Sequence, residues 1–186
     1  KRGTDGKIEA IKYARINKIP FLGICYGMQM AIIEFARNKL NLKKATSSEF
    51  DKKGLPVIGL INEWIKDGRK IKGTDKNLGG TMRLGSYEAK LKENSLIRKI
   101  YGKKSINERH RHRYEVNINY KEKFEKNGMN FTGLSPDGML PEIIELKNHP
   151  WFVGVQFHPE FKSRPLAPHP LFSSFIKASK NHKWAV

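Results

Sequence analysis

Cysteine is almost absent from this 186-residue chain, which contains one. A single cysteine cannot form an internal disulfide bond or a cysteine-rich zinc site, so a disulfide-stapled secreted scaffold is excluded. Long apolar runs are also missing, since no stretch approaches the roughly 18 apolar residues that a membrane span requires. The segment from Lys1 to Asp5 has neither an initiator methionine nor the apolar core of a signal peptide. We therefore expect a fragment or processed piece of a cytoplasmic protein that does not associate with membranes.

Acidic residues are scarce, with 18 against 36 basic residues and a formal net charge of +18. A basic surface can bind phosphates through counterion release, so nucleic-acid binding is one interpretation. However, the lysines are scattered along the whole chain, often beside an Asp or Glu, and the densest spots are Lys52-Lys53, Lys103-Lys104 and 109–113. We favour a lysine-rich solvated surface and keep a basic nucleic-acid-binding module as the alternative.

Repeats, low-complexity tracts and linkers are absent, which predicts one domain. Residues 7–17 show helical spacing, a short apolar strand follows at 21–24, and a second helical pattern runs from Met28 to about Arg37. A helix, a buried strand, a sharp turn and another helix are typical of α/β proteins. We predict a central, mostly parallel sheet flanked by helices.

The rest of the chain is predicted from shorter patterns. Residues 50–87 indicate short strands with a long excursion around 67–80, and a final helix is expected at about 171–180. Further strands are predicted at 109–117, 130–134, 142–146 and 151–157.

The lone cysteine lies in the turn Gly23-Ile24-Cys25-Tyr26-Gly27, which has the form G-x-C-x-G. It parallels the G-x-S-x-G elbow, a tight strand-to-helix turn that presents its central side chain. The two glycines would supply backbone freedom and remove Cβ atoms from the bend, and the following helix end would lower the thiol pKa. The Tyr26 amide would be placed to stabilise an oxyanion. A buried structural cysteine is the alternative, but the glycine frame favours a nucleophile.

A nucleophilic thiol needs a base, and His158 ends an apolar strand in the sequence Phe157-His158-Pro159-Glu160. Pro159 cannot continue a central strand, so the chain should enter a loop at the sheet edge where α/β proteins collect functional groups. Glu160 is close enough in sequence to orient the imidazole. Although a solvated turn is the alternative for His-Pro-Glu alone, the cysteine elbow makes a Cys-His-Glu triad the stronger interpretation.

Together these motifs resemble the class I (triad) glutamine amidotransferases, whose elbow G-x-C-x-G-x-Q is matched by Gly23–Gln29 and whose His-Pro-Glu is matched by 158–160. Further stretches resemble the glutaminase domains of the CTP synthase family. These stretches are Ser48-Glu49-Phe50, 79–85, 108–117 and 157–161.

The resemblance implies roles for individual residues. Cys25, His158 and Glu160 correspond to the catalytic triad. The family's glutamine-binding positions correspond to Tyr26, Gly27, Met28, Gln29, Glu49 and Arg113. Arg2 corresponds to the GTP-responsive loop of the family.

The histidines and arginines between 109 and 113 also permit an argument from the residues themselves. Arg109, Arg111 and Arg113 alternate with two histidines, so the arginines should share one face of a strand. On the residues alone, a carboxylate-binding site and a phosphate-binding or salt-bridged strand are equally supported. The histidine pair lacks a third ligand, so no metal site is expected. His149, His169 and His182 are interpreted as surface residues.

This chain also departs from the family pattern. Tyr26 stands where the family more often has Leu, and the family's first strand and glycine-rich oxyanion loop would precede residue 1. We therefore expect residues 1–186 to be an N-terminally incomplete glutaminase domain. No G-x-x-x-x-G-K-[ST] motif occurs, so the synthetase domain, with its ATP and Mg²⁺, is expected to be absent and no cofactor is expected in this chain.

For the whole enzyme, the resemblance implies glutamine hydrolysis that supplies ammonia for the ATP-dependent amination of UTP to CTP. It also implies GTP as an allosteric activator and a homotetrameric assembly. The glutaminase domain of another triad amidotransferase is the alternative within the same class.

Overall fold

The computed structural model describes residues 3–60, 65–66, 69–70 and 82–182. The helices are α1 (Thr4–Ile16), α2 (Tyr26–Asn38), α3 (Leu96–Tyr101), α4 (Lys121–Lys126) and α5 (Pro170–Asn181). The strands are β1 (Phe21–Ile24), β2 (Ala45–Ser47), β3 (Leu55–Gly59), β4 (Ile65–Lys66), β5 (Arg69–Lys70), β6 (Arg83–Leu91), β7 (Ser105–His112), β8 (Glu115–Val116), β9 (Met129–Leu134), β10 (Pro141–Leu146) and β11 (Phe152–Val155). Short 3₁₀ helices cover Ile118–Tyr120 and Pro159–Lys162.

The main sheet has six strands in the order β1-β11-β10-β9-β6-β7. The predicted α/β class is confirmed, but the expectation of a mostly parallel sheet is corrected for the strands that are described. In the main sheet β1 and β11 pair in parallel, whereas the other four neighbouring pairs are antiparallel. The short connections 135–140 and 147–151 explain part of this pattern, because a parallel return needs a longer crossover.

Helices cover both faces of this sheet. Ile144 and Phe152 pack into an apolar cluster with α1, α2 and α4, whereas their neighbours Ile143 and Val153 pack into a second cluster with α3 and α5. This division follows from the alternation of side chains along a strand. None of the helices in the described part of the chain is long and apolar enough to span a membrane.

Helix α2 is the most deeply buried helix of the fold. Every residue from Met28 to Ala36 is buried. The helix contacts β1 and β11 of the main sheet on one side and β2, β3 and β8 of a small three-stranded sheet on the other. An element enclosed in this way holds its N-terminal end in a fixed position relative to the main sheet.

The cysteine elbow forms where β1 meets α2. Cys25 follows Ile24 directly, caps α2 and has φ 50° and ψ −101°, an uncommon backbone conformation for a residue with a side chain. Its amide donates a 2.7 Å hydrogen bond to the carbonyl of Val155, the last residue of β11. Because β1 and β11 are parallel, their carboxyl ends lie together, and Cys25 meets the segment that begins at Gln156.

The two glycines of the elbow are not equivalent. A Cβ atom on Gly23 would lie 2.8 Å from the backbone carbon of Gly27 and 2.9 Å from the Phe21 ring, whereas a Cβ on Gly27 would meet nothing within 4 Å. The prediction that both glycines keep the bend free of side chains therefore holds for Gly23 and is wrong for Gly27.

This difference predicts the effect of two matched substitutions. Gly23→Ala should lower the free energy of unfolding by about 1–3 kcal/mol, because the backbone of the elbow must shift to relieve the overlap. Gly27→Ala should be neutral or stabilising, since alanine favours the helix that glycine weakens. Urea unfolding of both variants measures this difference, and equal stabilities would contradict the steric argument.

Candidate active site

An open cavity of about 420 Å³ lies at the elbow. Its lining residues are Cys25, Tyr26, Gln29, Glu49, Arg111, His112, Arg113 and Tyr114. The volume is in the range of small-molecule binding sites, about 300–1,000 Å³. The structure thus brings the candidate nucleophile together with four of the residues predicted to bind glutamine. The other two, Gly27 and Met28, do not line this cavity, and the Met28 side chain is fully buried in the core.

The cavity carries charges of both signs. Glu49 supplies a carboxylate, and Arg111 and Arg113 supply guanidinium groups. A guanidinium can hold a carboxylate through two hydrogen bonds, while a carboxylate attracts an ammonium group. The cavity can therefore bind a small molecule that carries both a carboxylate and an amine.

Tyr26 also lines the cavity, and its hydroxyl lies 2.7 Å from the Thr4 hydroxyl of α1. A hydrogen bond therefore links Tyr26, which departs from the family pattern, to helix α1. Its backbone amide begins α2, beside the thiol, as the elbow predicts.

His158 and Glu160 form the second part of the candidate site. The Nδ1 atom of His158 lies 2.5 Å from Oε1 of Glu160. A carboxylate only accepts, so Nδ1 carries the proton and Nε2 of the neutral ring is left as a proton acceptor. The Nε2 atom is buried and has no hydrogen-bond partner among the residues that the structure describes. The ring stacks on Phe161 at 5.1 Å, and the His158 amide donates to the Arg109 carbonyl at 2.8 Å.

The thiol does not have the lowered pKa that the sequence predicts. Burial raises the pKa of Cys25 to about 11, and the nearby carboxylates of Glu115 and Glu160 add to this effect. A hydrogen bond from the Tyr26 backbone lowers the pKa, but it does not compensate for the loss of solvent. The thiol is therefore protonated at neutral pH and needs a base to become a nucleophile.

A buried charged cluster, formed by Arg83, His110, His112, Glu115 and Glu142, reaches the cavity through His112, which lines it. Nη1 of Arg83 is 2.6 Å from Glu142 and 3.4 Å from Glu115. Burial raises the pKa of Glu142 to about 7 and that of Glu115 to about 8, although Arg83 opposes both shifts. Burial and Arg83 lower the pKa of both histidines. One guanidinium thus faces two carboxyl groups that hold protons readily, beside two neutral imidazoles.

The predicted alternation of arginines and histidines is confirmed along β7. Arg109 and Arg111 are exposed, whereas His110 and His112 are buried. Arg113 lies beyond the end of the strand, in the bend before β8, and turns into the cavity with Arg111. Arg109 instead borders a separate groove.

Other predicted positions have different outcomes. Arg2 and residues 79–81 lie outside the described residues. The expectation that His169 is a surface residue is wrong, because its side chain is buried, accepts from the Leu171 amide at 3.3 Å and lies 3.0 Å from Glu108. His149 is half-buried and contacts the Ala14 carbonyl at 3.2 Å.

Sequence reasoning missed Arg83, Glu115, Glu142 and Gln156. A signal was available for two of them, since Glu142 precedes Ile143-Ile144 and Gln156 stands between Val155 and Phe157. A polar side chain inside an apolar strand is buried and needs hydrogen-bond partners. Buried polar residues next to a catalytic motif are therefore candidates for hydrogen-bond partners of the catalytic residues.

The family model Glutamine amidotransferase class-I matches residues 1–178. The chain is 86% identical over 183 residues to CTP synthase of Pelagibacter ubique, covering 98% of this chain and 34% of that protein. It is 62% identical over 179 residues to CTP synthase of Zymomonas mobilis, covering 96% of this chain and 33% of that protein. The chain thus spans about a third of the length of these relatives.

Solved structures give the same result. The structure matches the glutaminase domain of Trypanosoma brucei CTPS with bound acivicin, with a TM-score of 0.85 and 35% identity over 100% of this chain and 69% of that one. It also matches a putative GMP synthase protein from Thermoplasma acidophilum, with a TM-score of 0.56 and 17% identity over 95% of this chain and 65% of that one. The second match supports the fold alone.

Proposed function

The chain belongs to the class-I glutamine amidotransferases, as a glutaminase domain of the CTP synthase kind, and on that premise we propose that it hydrolyses glutamine through a Cys25-His158-Glu160 triad. The observation that carries this proposal is the cavity in which Cys25 lies with Glu49 and Arg113. A thiol, a carboxylate and a guanidinium in one cavity match the carboxamide, the amine and the carboxylate of free glutamine.

Glutamine binding uses the charges of the cavity. Arg113 holds the α-carboxylate, and Glu49 holds the α-ammonium group. The side-chain carboxamide then extends toward Cys25 along the wall that includes Gln29. Gly27 has no side chain and the Met28 side chain is buried in the core, so a contribution of these two residues to glutamine binding would have to come from their backbone.

The reaction begins when Nε2 of His158 accepts the proton from the Cys25 thiol. The thiolate attacks the carboxamide carbon, and the Tyr26 amide stabilises the oxyanion that forms. The protonated imidazole gives its proton to the departing nitrogen, which leaves as ammonia, and a glutamyl thioester remains on Cys25. His158 then takes a proton from water, and the resulting hydroxide cleaves the thioester. Glutamate is released, and the imidazolium returns its proton to the leaving sulfur, which restores the Cys25 thiol and the neutral imidazole. Glu160 keeps Nδ1 protonated and stabilises the imidazolium.

The fate of the ammonia is proposed from the relatives, which are named CTP synthase. Ammonia would pass to a synthetase domain in which UTP is aminated to CTP with ATP and Mg²⁺. Four further points stay predictions: activation by GTP, a role for Arg2 in that activation, a homotetrameric assembly and a cytoplasmic location.

Glutamine hydrolysis and CTP formation by the full-length protein test the proposal. With UTP and ATP, the protein should form CTP from either glutamine or ammonium salts and release glutamate in the first case. Use of ammonium but not of glutamine would contradict the glutaminase assignment. Amination of an acceptor other than UTP would instead favour another triad amidotransferase.

A further inference from the structure

A chain of buried amides leads from the thiol into the core. Nε2 of Gln156 lies 3.7 Å from Sγ of Cys25, within hydrogen-bond distance of a sulfur atom. Nε2 of Gln29 lies 3.3 Å from Oε1 of Gln156 and 2.9 Å from the carbonyl oxygen of Tyr114. Both glutamine side chains are buried, so solvent does not compete for these contacts.

The carbonyl of Tyr114 decides the orientation of both amides. A carbonyl oxygen only accepts, so the Gln29 atom that faces it must be the NH₂ group. The second hydrogen of that group points to Gln156, which must therefore present its oxygen. The NH₂ group of Gln156 is then left facing the sulfur, and a flip of either amide would place two acceptors or two donors in contact.

The Tyr114 carbonyl, which orients the Gln29 amide, is itself held in place. Nδ1 of His112 lies 3.2 Å from the Tyr114 carbonyl and donates to it, and Nε2 of His112 is 2.8 Å from Nδ1 of His110. The backbone of Gln156 is fixed separately, because its backbone N–H donates a 2.9 Å hydrogen bond to the backbone carbonyl of Glu142. The row of amides is thus supported by His112 at the Tyr114 carbonyl and by the backbone of Glu142 at Gln156.

We propose that Gln156 is a further participant in the reaction, as a fixed hydrogen-bond donor to the Cys25 sulfur that stabilises the thiolate, and that Gln29 is the positioning residue that orients its amide. This inference rests on the glutaminase reaction proposed above. The role of Gln156 differs from that of His158. His158 accepts the proton of the Cys25 thiol, whereas the Gln156 amide cannot accept a proton and only donates a hydrogen bond to the sulfur.

The surroundings of the sulfur explain why such a donor is needed. Burial and the carboxylates of Glu115 and Glu160 disfavour the thiolate, and the Tyr26 amide and the Gln156 amide favour it. The cavity adds the carboxylate of Glu49 and the guanidinium groups of Arg111 and Arg113. His112 also lines the cavity, where burial and the charge of Arg83 lower its pKa, and His158 follows Gln156 by two residues along the chain.

Three variants of the full-length protein test the inference. Gln156→Met keeps the shape and removes the donor, whereas Gln156→Glu also places a negative charge beside the sulfur. Thr132→Val is the matched control, because Thr132 is a buried polar residue whose hydroxyl has no hydrogen-bond partner among the described residues. Alkylation of Cys25 by iodoacetamide is followed against pH from the mass of the peptide that contains Cys25.

We expect the alkylation profile of Gln156→Met to move to higher pH, with alkylation roughly tenfold slower below the midpoint, and that of Gln156→Glu to move further. Thr132→Val should keep the wild-type profile. A role of Gln156 in packing alone would leave the Gln156→Met profile unchanged, and that result would overturn the inference. If both Gln156 variants fail to fold, Gln29→Met carries the test, since release of the Gln156 amide should shift the profile in the same direction.

Protection of Cys25 by glutamine separates this inference from the proposed function. In the wild-type protein, saturating glutamine should slow the alkylation. Absence of protection would contradict glutamine binding whatever the variants do. Protection together with an unchanged Gln156→Met profile would leave the glutaminase proposal standing and remove Gln156 from the mechanism.

Discussion

Cys25→Ala is expected to abolish glutamine-dependent CTP formation by the full-length protein and to leave ammonia-dependent formation intact. Without the thiol no glutamyl thioester can form, and the chain contains no second cysteine. Loss of a covalent nucleophile can cost about 10⁶-fold in turnover, so glutamate release should fall to background. Glutamate release and CTP formation with each nitrogen source measure the effect.

The ammonia-dependent reaction serves as the internal control, because it shows that the variant is folded and that the synthetase activity is intact. Substitution by alanine removes one sulfur atom from a partly buried site, so the fold should persist. Glutamate release at the wild-type rate would mean that another group is the nucleophile. Loss of both reactions would instead show that Cys25 supports the structure.

Arg113→Ala is expected to lower kcat/KM for glutamine by roughly 30- to 4,000-fold. The range follows from about 2–5 kcal/mol for a lost charge-assisted pair, with each 1.4 kcal/mol about tenfold. The loss should appear mainly in KM, since Arg113 is proposed to bind the α-carboxylate and not the reacting carboxamide. Initial rates of glutamate release over a range of glutamine concentrations measure both constants.

Two neighbouring arginines provide the controls. Arg109→Ala should leave glutamine kinetics unchanged, because Arg109 is exposed and borders a separate groove. Arg111 also lines the cavity, so Arg111→Ala shows which guanidinium holds the carboxylate. A large effect of Arg111→Ala with no effect of Arg113→Ala would contradict the assignment taken from the family resemblance.

Features that depend on short segments could be predicted from the sequence. The elbow needs a strand, a glycine and a helix in succession, and Phe21 to Asn38 supply them in that order. The exposed arginines and buried histidines of β7 follow from the two-residue period of a strand. The motifs around Cys25 and His158 likewise predicted the family, because the residues of each lie close together in sequence.

Features that depend on distant partners could not be predicted in this way. The antiparallel pairing of most described strands in the main sheet is set by which strands become neighbours. The burial of His169 depends on Glu108 and Tyr101, which come from a different part of the chain. The raised pKa of the Cys25 thiol depends on how deeply the folded protein buries the sulfur, and a short sequence pattern does not predict that burial.

The sequence by itself therefore determined the nucleophile candidate, its candidate base and the class of fold, since each is encoded in residues that are neighbours along the chain. The resemblance implied Glu49 and Arg113 as glutamine-binding residues, but only the tertiary structure decided that Arg111 lines the cavity with them and with Cys25. It also decided that the Gln156 amide faces the sulfur, because that orientation is fixed by the carbonyl of Tyr114 through Gln29. Hydrogen bonds between residues more than 80 positions apart exist only once the chain has folded.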